Sequence, residues 1–456
     1  MPDPSSVDPG SSAHLPAAGP SLRRELRENA PLYLVLGVLL LLGLFLRFHD
    51  MPGGTGLKFD EHHYVRVARS NVAHRYDTAL HPALGSLIMA GAIELFGDGP
   101  FAWRLPALVF GLCTVVLCAW VTRVVFKSWR AALMAGAFIA SDGFFIGYSR
   151  VALIDTTLIA FGIAGIAVIL TARNGWGVLL AGLLLGASAS VKLSGVPFIA
   201  AAAAVCLARR RLRWYVPLVP LAAALVFYAQ TAFHLMLTGG SGSLSAAIAE
   251  HRRLLHSHFS FTGVNPLSSK WYTWFVPARP FFLWRDVEAV GGNVHALHML
   301  GNPLLWWGSS VAVILCAIFL ARVGWRRVWR QLQDGAPPSV EADAPAPPAG
   351  PARPGLLAGL EPRAGALFWV FLTWAGSLGF WVLSLREAYL YHFLPIYMFA
   401  LIMLAGVWDR WYARRPLAAL IGLCAVLEVA LLYAPMWGEL PITEAALNAR
   451  LFPFWR

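Results

Sequence analysis

The 456-residue chain is 58% hydrophobic and only 13% charged, with a mean hydropathy of +0.61; a typical soluble domain carries about 25% charged residues. Such an excess of apolar surface excludes an ordinary soluble protein and must face lipid, so the class is an integral membrane protein. The formal net charge of +12 would suit nucleic acid, but the basic residues fall in short clusters between apolar spans, which is the pattern that fixes membrane orientation.

In chain order, residues 1–29 begin with a Pro/Ser/Gly/Ala-rich stretch expected to be a disordered cytoplasmic N-terminus. Arg23, Arg24 and Arg27 then precede the first apolar span, which reads as a signal anchor with no cleavage site. A spanning helix needs about 17–25 apolar residues. Spans are predicted at 30–47, 103–125, 131–148, 150–171, 176–191, 194–208, 214–236, 303–321, 365–384, 389–408 and 416–434, about eleven in all. The pair 176–191 and 194–208 is short enough to be one helix kinked near Lys192–Gly195, and 83–97 reads as a juxtamembrane helix. The expectation is an all-α polytopic protein with juxtamembrane helices in its first outer loop. A transmembrane catalytic module covers 30–322, a cytoplasmic Pro/Ala-rich linker 323–363, three further transmembrane helices 364–434, and an outer tail 435–456.

With the N-terminus inside, the Arg/Lys clusters at 123–130, 173, 209–213, 322–330 and 410–415 all fall on the inner side, as the positive-inside rule requires. Two long segments, 48–102 and 237–302, then lie outside, and they hold most of the extramembrane His and Trp. The five cysteines sit inside apolar runs without zinc-type spacing and read as small buried hydrophobes.

Chemistry-bearing residues gather on that outer side. The first loop reads Phe59-Asp60-Glu61-His62-His63-Tyr64, then His81-Pro82-Ala83-Leu84-Gly85. On a helix, Asp60, His63 and Tyr64 share a face at i, i+3 and i+4, whereas Glu61 points elsewhere; the plain alternative is a solvated loop with a capping Asp. Asp142, Arg150 and Asp155 flank the outer ends of the third and fourth spans. Arg150 offers the fixed charge and forked donors that suit a phosphate, and the plain alternative is a structural Asp–Arg pair. Lys192 sits at another outer span end, where snorkelling would also explain it. His251, His256, His258, Lys270, Trp271, Tyr272, Trp274 and Arg279 occupy the second outer loop, without a tight ligand set that would predict a metal. Arg386, Tyr389 and His392 open the tenth span.

In these stretches the chain resembles the protein O-mannosyltransferases in their shorter bacterial form, which are C-type glycosyltransferases. The resemblance rests on seven segments in the family's order: Phe59–Tyr64, His81–Gly85, Ser149–Asp155, Ser190–Gly195, Ser268–Pro280, Leu300–Trp307 and Tyr391–Pro395. Ser86 stands where members usually carry Lys, and Ala83 replaces the second Pro. The resemblance implies transfer of a sugar, most readily mannose, from a polyprenyl-phosphate donor to Ser/Thr hydroxyls of secreted or membrane proteins on the outer face, with inversion. The export machinery is a candidate partner, and no resident cofactor or metal is expected. It carries the family's Asp-Glu pair onto Asp60 and Glu61 as the catalytic pair, with Asp60 the candidate base and Glu61 positioning the acceptor or holding a neighbouring cation, and its loop Arg onto Arg150. Lys192, Arg279 and Arg386 are further candidate phosphate ligands; His63, His81, Asp142, Asp155 and His392 are candidate sugar, acceptor or supporting contacts. The alternative within the class is a lipid-linked sugar transferase acting on a glycolipid or cell-wall acceptor. A transporter or flippase is the remote alternative, since repeat symmetry is missing and the polar residues collect on one side.

Overall fold

The computed structural model describes residues 27–51, 54, 56–209, 211–259, 265–277, 279–288, 291–334, 363–384, 387–451 and 455. Within these the chain is built from helices, because apolar segments in lipid must satisfy every backbone group internally. In chain order they are α1 (Ala30–Phe48), α2 (Glu61–Val72), α3 (Leu84–Phe96), α4 (Pro100–Phe126), α5 (Trp129–Ser141), α6 (Gly143–Arg150), α7 (Asp155–Thr171), α8 (Gly175–Val191) and α9 (Val196–Ala208). After them come α10 (Leu218–Leu237), α11 (Leu244–Phe259), α12 (Pro303–Asp334), α13 (Ala364–Val382), α14 (Leu394–Arg414), α15 (Pro416–Gly438) and α16 (Glu444–Arg450).

Each predicted span coincides with a helix, but the count of eleven is not established. Seven described helices are long and apolar enough to cross a bilayer, or eight if α5 and α6 form one bent span, while α7, α8 and the helix ending at Ala208 are shorter. The segment expected as one span at 131–148 is two helices meeting at 57°. Asp142 causes the break: it ends α5, and its Oδ1 accepts the Phe144 amide (3.0 Å) as the N-cap of α6. The next helix begins at Asp155, not at 150, and 176–208 is two helices joined by a 3₁₀ turn at Leu193–Gly195.

The bundle is organised around α14. Its most apolar window is 94% buried, against 28–39% for the other long helices, so α14 is wrapped by protein while the rest show most of their surface to lipid. Close approach elsewhere needs glycine. A Cβ on Gly43 of α1 would lie 2.0 Å from the Ala140 carbonyl oxygen, and one on Gly143 would lie 2.0 Å from the Trp437 ring.

One feature is not helical. Strands β1 (Phe282–Val287), β2 (Asn293–His298) and β3 (Ile442–Thr443) form an antiparallel sheet in that order, with a bulge between Phe282 and Trp284. Gly291 and Gly292, both at positive φ, lie in the β1–β2 connection, where the chain reverses in a conformation that glycine alone adopts freely.

The two ends of α14, about 31 Å apart at 1.5 Å per residue, have opposite character. At its Arg414 end, Lys127, Arg130, Arg363, Asp409 and Arg410 surround a hollow, with Arg130 Nε 2.9 Å from Asp409. These belong to the basic clusters expected inside, with Arg363 arriving from beyond the linker. The other end lies beside a cavity bordered by Tyr389 and Tyr391.

Candidate active site

The turn that starts α2 decides what each carboxylate of the Asp-Glu pair can do. The Glu61 amide donates to the Lys58 carbonyl (2.9 Å), and Phe59 between them adopts φ +44°. Asp60 is the N-cap residue but makes no capping hydrogen bond. Its neighbour Glu61 is fully buried. Arg104 Nε and Nη2 donate to the two Glu61 oxygens at 2.8 Å each, and the Lys58 and Ala152 amides donate at 2.7 Å. A carboxylate has about four acceptor directions, so Glu61 is saturated. Of the two supporting roles expected of Glu61, the structure shows the neighbouring cation, Arg104: Glu61 does not line the cavity, and it fastens the turn.

Asp60 instead lines a cavity of about 360 Å³. Among the described residues no donor engages its carboxylate. Burial raises its pKa above the usual carboxylate range; His63, Lys192 and His62 oppose the shift, and Asp155 adds to it. His63, Tyr64 and Val67 continue the same face of α2 into the cavity, and Arg66, His81 and Ser86 border it. The Tyr64 and His81 rings lie nearly parallel, 10° apart in plane. Burial and the adjacent His62 lower the pKa of His63. Asn265, Leu267, Tyr389 and Tyr391 close the wall from the second loop and the segment before α14. Behind that wall, Lys192 Nζ is 3.0 Å from Asp155 Oδ1 and 5.0 Å from the Tyr391 ring centre.

Several expected site residues do other work. Arg150 is not a cavity residue: Nη1 donates to the Leu46 and His49 carbonyls, and Nε and Nη2 face Glu439 at 3.3 Å. Its forked donors bind the open carbonyls at the end of α1 instead of a phosphate. Asp142 is fully buried, and its Oδ2 accepts the Asn302 amide (2.8 Å) and the Tyr397 hydroxyl (2.9 Å); it ties the helix break to α14 and makes no salt bridge with an arginine among the described residues. His392 stacks on Trp381, with centroids 3.6 Å apart, and accepts the Tyr389 amide at Nδ1 (3.0 Å), so it orients Tyr389 from behind. Arg279 borders a separate hollow of about 280 Å³ with Lys270 and Ser268. Arg386 and the side chain of His258 lie outside the described residues. In the second loop, His251 Nε2 lies 2.8 Å from Thr231 Oγ1, and no group of three metal-type ligands forms among the described residues.

Sequence reasoning missed Lys58, Arg104 and Glu439. Arg104 had a signal: an arginine at the edge of a predicted span calls for a buried partner. Glu439 had little, since its partners Lys58 and Arg150 are hundreds of residues away in the chain.

The family model described as "Dolichyl-phosphate-mannose-protein mannosyltransferase" matches residues 80–236. The one described as "C-terminal four TMM region of protein-O-mannosyltransferase" matches 244–440. A polyprenol-phosphate-mannose–protein mannosyltransferase of Mycobacterium tuberculosis is 26% identical over 65% of this chain and 72% of its own length. The enzyme of the same name from Mycolicibacterium smegmatis is 27% identical over 60% and 67%. The solved Pmt1–Pmt2 protein O-mannosyltransferase complex of S. cerevisiae, bound to the sugar donor, superposes with a TM-score of 0.67 over 93% of this chain and 92% of the matched one; at 13% identity that likeness shows the shared fold. With two successive family models, relatives of one name and this fold, the chain is a membrane glycosyltransferase belonging to the protein O-mannosyltransferase family.

Proposed function

We propose that the chain transfers mannose from a polyprenyl-phosphate donor to Ser or Thr hydroxyls of proteins, with Asp60 as the general base. One observation carries the assignment of the base. Of two adjacent carboxylates, Glu61 has every acceptor direction filled, while Asp60 faces the cavity with its lone pairs open. A pKa raised by burial strengthens Asp60 as a base.

In the proposed step, an Asp60 oxygen takes the proton of the acceptor hydroxyl as that oxygen attacks the anomeric carbon. The bond from that carbon to the phosphate oxygen breaks, and the lipid phosphate leaves with the electron pair. Attack from the opposite face inverts the anomeric centre. Arg66 on the cavity wall, paired with Asp77, and Lys192 behind Tyr391, paired with Asp155, are the cations that would meet the departing charge. Tyr64, His81, Tyr389 and Tyr391 supply the flat and hydrogen-bonding surfaces that suit a sugar.

The basic loops collect at the end of α14 away from the cavity. The positive-inside rule supports reading that end as cytoplasmic and the cavity as opening on the outer face, where exported polypeptides would arrive. The test is reconstitution: purified protein, polyprenyl-phosphate-mannose and a Ser/Thr peptide should yield a peptide heavier by one hexose, in the anomeric form opposite to the donor's. Transfer only to a glycolipid acceptor, or retention of configuration, would sink the proposal.

A further inference from the structure

Glu439 stands one residue beyond α15 at φ +58°, a left-handed conformation that a non-glycine residue holds only when its surroundings fix it. Its side chain is almost wholly buried. Both carboxylate oxygens accept from Lys58 Nζ, at 2.7 and 2.6 Å, and Oε1 also faces Arg150 Nε and Nη2 at 3.3 Å. The Glu439 carbonyl lies 2.8 Å from His295 Nδ1, which registers it against β2. Its carboxylate thus joins the first loop to the end of α6, and its carbonyl ties the same residue to the sheet.

Lys58 opens the turn that carries Asp60. Its carbonyl accepts the Glu61 amide, and its own amide donates to Glu61 Oε2. At the Glu61 end the turn is fixed by Arg104 and Ala152. At the Lys58 end the side chain is fixed by Glu439, 381 residues further along the chain. Asp60 and the left-handed Phe59 lie between these two anchors. The Asp60 side chain makes no hydrogen bond among the described residues, so its direction is set by the turn.

We propose that Glu439 is a positioning residue for Asp60, acting through Lys58 to hold the base at its distance from the acceptor hydroxyl. The inference rests on the reading of Asp60 as the base. Glu439 touches no part of the cavity, so its loss leaves donor and acceptor contacts in place and displaces only the base. A displacement of about 1 Å can cost on the order of 10²-fold in rate.

The experiment uses the full chain in nanodiscs, with polyprenyl-phosphate-mannose and a Ser/Thr peptide. Wild type is compared with Glu439→Gln, Glu439→Asp, Lys58→Met, the Lys58→Met/Glu439→Gln double variant and Asp60→Asn. For Glu439→Gln the expected result is a kcat lower by roughly 10- to 100-fold, with both KM values within about threefold. Glu439→Asp should recover part of the rate. The double variant should be no slower than the slower single variant, because both remove the same contact. If Glu439→Gln does not fold, Glu439→Asp reports the same kcat-against-KM split at smaller amplitude. A folded variant with wild-type kcat, a loss carried by KM, or multiplicative losses in the double variant overturns the proposal. An active Asp60→Asn instead removes the reading of Asp60 as base. An inactive Asp60→Asn beside an unaffected Glu439→Gln overturns the positioning role alone.

Discussion

Glu61→Gln is nearly isosteric, yet the structure predicts that it damages the fold. The wild-type carboxylate accepts four hydrogen bonds with no exposure to solvent, two of them from the equally buried Arg104 guanidinium. A glutamine keeps one acceptor oxygen and turns an NH₂ group toward donors, so two of the four contacts become donor against donor. It also leaves the Arg104 charge buried without its counter-ion. Breaking one side of a buried ion pair costs about 3–5 kcal/mol. Over 456 residues, at an unfolding entropy of about 2.1 cal/mol/K per residue, this lowers Tm by ~3–5 °C. The assay is tryptophan fluorescence during heating of the protein in detergent, with Asp60→Asn in parallel. Asp60 is half-buried and unbonded, so its amide should melt within about 1 °C of wild type. If Glu61→Gln also melts like wild type, the contacts assigned to Glu61 do not hold the turn, and the division of labour between the two carboxylates is wrong.

Two further outcomes follow from the same geometry. Arg150→Ala should lower Tm, because it frees the α1 carbonyls and leaves Glu439 with Lys58 alone; the KM for the lipid donor should not change in steady-state assays of the folded variant, whereas a selective rise would restore Arg150 to the phosphate site. Because burial raises the Asp60 pKa and its protonated form is inactive, the acid limb of the kcat profile should lie above the usual carboxylate range; Lys192→Met removes a cation that lowers this pKa and should move the limb to still higher pH, and a limb that stays put or moves down would contradict the assignment.

Hydropathy alone placed a predicted span on each of the seven long apolar helices among the described residues, since a 20-residue apolar run has few other fates. It could not show that α14 is the enclosed one, because an apolar stripe facing protein and one facing lipid are written in the same residues. The break at Asp142 was visible as an acid inside an apolar run, but reading it as part of an outer site missed that its lone pairs serve Phe144, Asn302 and Tyr397. The helical spacing of Asp60, His63 and Tyr64 did identify residues that share the cavity, because local geometry fixes which side chains leave a helix together. Spacing also separated Glu61 from Asp60, but not what Glu61 meets, which depends on Arg104 and Ala152. Arg150 shows the limit most clearly. A buried arginine near an outer helix end fits a phosphate clamp or a clasp for helix carbonyls equally well, and long-range packing selects the clasp. The sheet had a local cue in Gly291-Gly292, but its third strand comes from the far end of the chain.

The most direct test of the central claim is a single-turnover measurement with donor pre-bound, comparing wild type with Asp60→Asn at matched fold and occupancy. Loss of the base should slow mannosyl transfer by about 10²–10⁴-fold while donor binding and Tm stay at wild-type values. Transfer by Asp60→Asn at the wild-type rate would contradict the account.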